Sequence, residues 1–104
     1  MTRLLQIKGF AQEVARQYRP EKIVLFGSHG RGEAGEDSDV DLLVIMDFNG
    51  RPSRQALEIR RTVKKSFPLD LIIKSPAETK MRLEQGDSFL ADALSTGQVL
   101  YEAR

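Results

Sequence analysis

Several residue types that define other classes of protein are absent or scarce. The 104-residue chain has no cysteine and a single histidine, His29. The lack of cysteine excludes disulfides, thiolate metal sites and a cysteine nucleophile, and one histidine excludes a zinc site built from several. No apolar run approaches the ~20 residues of a membrane span, and the amphipathic start of the chain differs from a signal peptide. We therefore expect a cytoplasmic protein that does not enter a membrane.

Composition favours one globular domain over residues 1–104, since apolar residues make up 40% and charged residues 30%. The net charge of +1 argues against direct nucleic-acid binding. The charges are nevertheless segregated: residues 32–50 contain six acids and no lysine or arginine, and residues 51–65 contain six bases and one acid. The basic segment is equally consistent with a solvated helix face and with a surface for a partner or nucleic acid.

Hydrophobic periodicity predicts helices and strands in alternation. The segment 28–38 is rich in glycine and polar residues, so it is predicted to be a loop with room for one helical turn. The expected fold is a small α/β (α+β) domain with helices packed on a mixed sheet of about four strands. Helices are predicted over 4–18, 53–65, 76–85 and 88–96, and strands over 23–26, 40–46, 69–73 and 99–101.

Two helices have clear start signals. The segment Ser75-Pro76-Ala77-Glu78 combines an N-cap serine, proline at the first helical position and glutamate at the third. Asp87 caps the last helix, in which the apolar side chains are expected to face the core. These are Phe89, Leu90, Ala93 and Leu94.

Two aspartates flank Val40 at the start of the second predicted strand. Asp39 and Asp41 are two residues apart, so their side chains point to one face of the strand while Val40 points to the other. Neighbouring carboxylates repel, and each resists ionisation unless a cation lies between them. Oxygen-only ligands favour a hard metal such as Mg²⁺.

Asp70 is the single charge in the next apolar strand before Lys74. If the two strands are neighbours, Asp70 completes a triad of carboxylates. Such a triad can hold two Mg²⁺ ions, which bridge a triphosphate and activate an attacking hydroxyl.

The loop after the first strand supplies the other half of a nucleotide site. Glycine at Gly27 lets the backbone approach a phosphate closely. Ser28 can donate its hydroxyl, and the amides of a following helical turn can bind an anion. Arg31 or His29 can reach phosphate oxygens.

The plainer interpretation is that acids in a turn are solvated caps, which explains Glu33, Glu36 and Asp37. It does not explain the three strand aspartates, because they lie at or inside apolar runs, where an unpaired charge is costly. Metal and nucleotide binding is the interpretation we prefer.

Three other nucleotide- or metal-binding motifs match only in part and are excluded by the residues around them. The glycines of residues 30–35 match a dinucleotide-binding pattern, but the next strand begins about five residues later and leaves no room for the crossover helix. Glu33 stands where the Walker motif requires lysine. Leu42 and Phe48 replace the glycine and the final glutamate of a calcium-binding EF-hand loop.

Four segments match the pattern of one family. They are Leu25-Phe26-Gly27-Ser28, Gly30-Arg31-Gly32, Ser38-Asp39-Val40-Asp41-Leu42-Leu43-Val44 and Leu69-Asp70-Leu71. Together they resemble the minimal nucleotidyltransferases of the DNA polymerase β-like superfamily, and the resemblance covers almost the whole chain. One departure is His29, where the family often has arginine.

The resemblance implies a Mg²⁺-dependent enzyme that transfers AMP from ATP to a hydroxyl and releases pyrophosphate. It makes Asp39 and Asp41 metal ligands, and Asp70 a third ligand that favours deprotonation of the acceptor. Gly27 and Ser28 then hold the triphosphate. Many proteins of this kind are antitoxins that adenylylate a tyrosine of a helical HEPN-family ribonuclease toxin.

Two other functions stay open. The chain can neutralise a toxin by covering it, with the basic helix or the C-terminal segment as the interface, although pure binding does not need three aspartates. Alternatively, it transfers a nucleotidyl group to a small molecule such as an aminoglycoside, with a separate helical subunit in place of the helical domain of larger superfamily members.

Overall fold

A computed structural model of the chain describes residues 3–32, 35 and 38–103. These residues form five helices and four strands, and the predicted α+β class is confirmed. The elements in chain order are α1 (Arg3–Tyr18), β1 (Lys22–Phe26), α2 (Gly27–Gly30), β2 (Val40–Ile45), α3 (Pro52–Thr62), β3 (Leu69–Lys74), α4 (Pro76–Glu84), α5 (Ser88–Thr96) and β4 (Gln98–Glu102).

The four strands form one mixed sheet in the order β3-β2-β1-β4. β1 pairs antiparallel with both β2 and β4. β2 and β3 are parallel, and α3 is the connection between them. The prediction of a mixed four-stranded sheet is therefore confirmed.

The two faces of the sheet carry separate hydrophobic clusters, because successive residues of a strand point to opposite faces. The larger cluster lies under α1 and α3 and includes Leu25 and Leu42. The smaller cluster lies under α5 and includes Val24, Leu43 and Leu90. α5 thus covers the face opposite to the one covered by α1 and α3.

The predicted N-caps form at the start of α4 and of α5. The Ser75 Oγ accepts a hydrogen bond of 3.1 Å from the Glu78 N–H, and the Asp87 Oδ1 accepts one of 3.0 Å from the Leu90 N–H. The Glu78 carboxylate binds the Arg82 guanidinium at 2.9 Å, so in the structure this glutamate serves a surface ion pair.

Two sequence predictions about the helices are wrong. α3 ends at Thr62 rather than at residue 65, because Val63 is extended and buries its side chain in the core on the way to β3. Phe89 does not face the core: it is 47% exposed, because Leu90 and Ala93 occupy the side of α5 that packs on the sheet.

The structure does not describe residues 33, 34, 36 and 37. The interpretation of Glu33, Glu36 and Asp37 as solvated caps therefore falls outside the described residues. Across the described part of the chain, no helix combines the length and the apolar character needed to cross a bilayer.

Leu90→Ala should lower the free energy of unfolding by about 2–5 kcal/mol, because it leaves a cavity under α5. Leu90 is fully buried, at 0% exposure, whereas Leu83 on α4 is 38% exposed. Urea denaturation of Leu90→Ala and of the control Leu83→Ala measures the difference. Equal losses in the two variants would contradict the role of Leu90 as the anchor of α5.

Candidate active site

Two carboxylates lie side by side at one end of the sheet. In the parallel pair of β2 and β3, the Cα atoms of Asp41 and Asp70 are register partners. Both residues alternate with members of the larger cluster, Leu42 and Leu71, so both side chains lie on the α5 face. The two strands are neighbours, so the condition set for a carboxylate triad is met, while the metal and catalytic roles stay predictions.

Asp39 lies just before β2 and is exposed. The next residue, Val40, already belongs to the sheet, since its N–H donates to the Pro68 carbonyl at 2.9 Å. Asp39 is therefore carried on the backbone that leads into β2. Its charge acts on the neighbouring carboxyl of Asp41.

The pKa of the Asp41 carboxyl is raised above its ordinary value. Burial is the largest cause, and the negative charges of Asp70 and then Asp39 add to it. The charges of His29 and Arg31 act in the opposite direction with smaller effect. The protein therefore holds Asp41 where its negative charge is poorly compensated.

Gly27 packs directly against this carboxylate. Its φ is +69°, and a Cβ at this position would collide with Oδ2 of Asp41 and lie 3.2 Å from its Cγ. The reason is the pairing of β1 with β2, in which Phe26 is the register partner of Asp41. A larger residue at Gly27 would displace the carboxylate, a constraint that comes from Asp41 and that local sequence does not reveal.

The other predicted phosphate-binding residues lie on or next to α2. Ser28 is partly buried and Arg31 is exposed. The Arg31 N–H donates to the Gly27 carbonyl at 3.0 Å and closes the turn. The His29 Nε2 lies 3.2 Å from the Ser38 carbonyl oxygen, a contact that joins the turn to the residue before the first aspartate. The fold thus brings the turn and the aspartates to the same end of the sheet.

The donor set at this point consists of carboxylate oxygens. Within the ranges that the structure describes, no three His, Cys, Asp or Glu side chains are gathered closely enough to hold a metal ion. Asp39 and Asp70 are exposed, and their charges act on Asp41. Oxygen donors and a poorly compensated negative charge suit a hard cation such as Mg²⁺.

Comparison with known proteins assigns the chain to a family. Residues 7–95 match the family described as the nucleotidyltransferase domain. The chain belongs to this family. The matched region contains the turn and all three aspartates, and the predicted membership of the nucleotidyltransferases is confirmed.

Three proteins named protein adenylyltransferase are similar to this chain. One from Methanocaldococcus jannaschii, so named provisionally, is 43% identical over 61 residues, which are 56% of this chain and 61% of that protein. A second from the same organism, also provisionally named, is 30% identical over 101 residues, which are 91% of this chain and 94% of that protein. Protein adenylyltransferase MntA from Thermococcus cleftensis is 40% identical over 67 residues, 62% and 66% of the two chains.

The aligned part of the chain spans less than two thirds of the first of these relatives and nearly all of the second. The relatives confirm the resemblance to the minimal nucleotidyltransferases.

Two solved structures share the fold. A provisionally assigned nucleotidyltransferase from Sulfolobus solfataricus has a TM-score of 0.59 at 23% identity, over 75% of this chain and 71% of that chain. A toxin–antitoxin complex with AMP-PNP contains a chain with a TM-score of 0.53 at 19% identity, over 93% of this chain and 74% of that one. At these identities the likeness establishes the fold.

Asp41→Asn should stabilise the folded protein at neutral pH. The raised pKa means that the folded state holds the proton more tightly than the unfolded chain, so stability is lost as the pH rises through the folded-state pKa. Removing the charge should raise the free energy of unfolding at pH 7 by up to about 1 kcal/mol. The gain should vanish at about pH 3, where aspartates are largely protonated.

Urea denaturation at both pH values tests this expectation, with Asp47→Asn as the control because Asp47 is exposed beyond the other end of β2. A gain for Asp41→Asn that is the same at both pH values would show that the charge is not its source.

Gly27→Ala should destabilise the fold more than Gly32→Ala. Both glycines have positive φ, +69° and +75°, so both alanines carry a similar backbone strain of about 1–2 kcal/mol. A Cβ at Gly32 meets nothing within 4 Å, whereas one at Gly27 meets the Asp41 carboxylate. We expect an additional loss of about 1–3 kcal/mol at Gly27, measured by urea denaturation and reduced in Gly27→Ala/Asp41→Ala. Equal losses in the two single variants would refute the Asp41 constraint.

Proposed function

We propose that this chain is the antitoxin of a toxin–antitoxin pair and uses Mg²⁺ to transfer AMP from ATP to a tyrosine hydroxyl of a helical HEPN-family ribonuclease. The observation that carries the proposal is the register of Asp41 with Asp70 next to the Gly27 turn. Family membership limits the chemistry to nucleotidyl transfer. The names of the three relatives support a protein acceptor.

The roles of the acidic residues follow from where they lie. Asp39 and Asp41 enter and begin β2, and we assign to them the binding of Mg²⁺. Asp70 lies on the outer strand β3 and is exposed, so we assign it a third ligand position that an acceptor can reach from outside. Two Mg²⁺ ions, when bound, supply positive charge to the reacting phosphate and the leaving oxygen.

The turn at Gly27 and Ser28 binds the triphosphate of the nucleotide. The backbone of Gly27 lies where a side chain would block the approach to Asp41, and Ser28 follows it at the start of α2. We assign these two residues to the triphosphate, with the Arg31 guanidinium as a further phosphate contact.

The transfer is a single displacement. The acceptor oxygen forms a bond to the α-phosphorus while the bond to the α,β-bridging oxygen breaks, and pyrophosphate leaves. Asp70 is the carboxylate nearest the open edge of the sheet and favours loss of the proton from the acceptor hydroxyl.

A protein acceptor suits the size and shape of the site. Asp39 and Asp70 are exposed, so the carboxylates lie at an open end of the sheet that a partner protein can reach. The toxin–antitoxin complex with AMP-PNP supports both a toxin partner and a nucleoside triphosphate. The HEPN class of the toxin and the tyrosine acceptor rest on the family resemblance.

Co-expression with the neighbouring gene tests the proposal through the intact mass of the partner. The wild-type chain should add one or more AMP units to the partner, and Asp39→Asn/Asp41→Asn should lower this modification by at least about 100-fold. The matched control is Asp47→Asn/Asp92→Asn, which removes the same charge from two exposed positions outside the site. This control should leave the modification unchanged.

An unmodified partner that co-purifies equally with the wild type and the double variant would overturn enzymatic neutralisation in favour of neutralisation by binding. An unmodified partner together with AMP transfer to a small molecule, such as an aminoglycoside, would instead identify a small-molecule acceptor.

Chelation of divalent cations should abolish AMP transfer, because the charges of His29 and Arg31 offset those of the carboxylates only in part and do not replace a metal ion at the reacting phosphate. The measurement is modification of the purified partner with EDTA and after readdition of Mg²⁺. Full transfer in EDTA would show that the aspartates do not act through a metal.

A further inference from the structure

Phe89 presents an aromatic ring at the surface next to the carboxylate site. The chain has five phenylalanines and two tyrosines, all among the described residues, and Phe89 is the one that is exposed, at 47%. The core under α5 is already filled by Leu90 and Ala93. Packing of the core therefore does not account for the position of this ring.

Phe26 connects Phe89 to the site. The two rings meet edge to face, with centroids 5.5 Å apart and an interplanar angle of 86°. Phe26 is the register partner of Asp41 and is followed directly by Gly27. Phe89 therefore lies on the β1 side of Asp41, next to the Gly27 turn, whereas Asp70 lies on the β3 side.

Phe89 is held on a fixed part of the fold. It is the second residue of α5, and the next residue, Leu90, is fully buried, at 0% exposure. The N-cap Asp87 accepts the hydrogen bond from the Leu90 N–H and forms an ion pair of 3.7 Å with Arg82. A ring whose backbone is held in this way can bind a flat ligand without ordering of the chain that carries it.

We propose that the exposed side of Phe89 is the stacking platform for the nucleobase of the bound nucleotide. The ring meets Phe26 at nearly a right angle and Phe89 is still 47% exposed, which leaves ring surface available to a ligand. A purine or pyrimidine stacks on an aromatic ring through its π-face. The inference rests on the proposed function, which places the triphosphate at the Gly27 turn and the acceptor at Asp70, so the flat group on the Phe89 side is the base.

Calorimetric titration of the full chain in Mg²⁺ with ATP and with inorganic tripolyphosphate separates the base from the phosphates. Phe89→Leu should weaken ATP binding about tenfold and leave tripolyphosphate binding unchanged. Val99→Ala is the control, because Val99 is a similarly exposed apolar residue on β4, at 49%. It should bind both ligands like the wild type.

Phe89→Trp supplies a second measurement, since the chain has no other tryptophan. ATP should quench the fluorescence of this tryptophan, and tripolyphosphate should not. This variant keeps an aromatic ring and should bind ATP at least as tightly as the wild type.

The proposal would be overturned if Phe89→Leu lost affinity for both ligands equally or kept its affinity for ATP. It would also be overturned if tripolyphosphate quenched the fluorescence of Phe89→Trp as strongly as ATP does. If the wild type binds ATP and tripolyphosphate equally tightly, the base makes no contact and the inference fails while the proposed function stands. If it binds neither ligand, both fail.

Discussion

The close contact between the Gly27 backbone and the Asp41 carboxylate is the constraint on which the candidate site depends. Antiparallel pairing of Phe26 with Asp41 forces the next residue, Gly27, over the carboxylate, where only a glycine fits. Parallel pairing of β2 with β3 then places Asp70 on the other side of Asp41. Three chain segments therefore meet at one carboxyl group, whose pKa is raised by burial and by its acidic neighbours.

This arrangement is unfavourable for the folded chain by itself and useful for a reaction at a phosphate. Negative charge held without full compensation lowers stability at neutral pH and attracts a cation. A protein can retain such a cost at a functional site when the rest of the fold is well packed. Here the two hydrophobic clusters on the faces of the sheet supply that packing.

The sheet also separates the charged surfaces of the molecule. α3 packs its buried residues, Ala56 and Ile59, into the larger cluster, on the face opposite to the one that carries Asp41 and Asp70. The basic residues of α3 are absent from the charges that shift the pKa of Asp41. A partner that binds the basic residues of α3 would therefore lie across the sheet from the candidate site.

Local chemistry in the sequence determined the elements of this protein. The Ser75 and Asp87 caps and the strand periods depend on neighbours within a few residues, and these predictions agree with the structure. Contacts between distant segments were decided by the tertiary structure alone. The register of Asp41 with Asp70 and the contact with Gly27 required the strand order, which no local pattern contains.

The two wrong predictions have the same origin. An apolar residue at helical spacing is expected inside, yet α5 has room for Leu90 and Ala93 under it and turns Phe89 outward against Phe26. Val63 continues the helical pattern of α3, yet it reaches the core from an extended backbone because the chain must turn toward β3. The sequence determined which side chains are apolar and therefore more stable when buried. The space between the helices and the sheet determined which of them are buried.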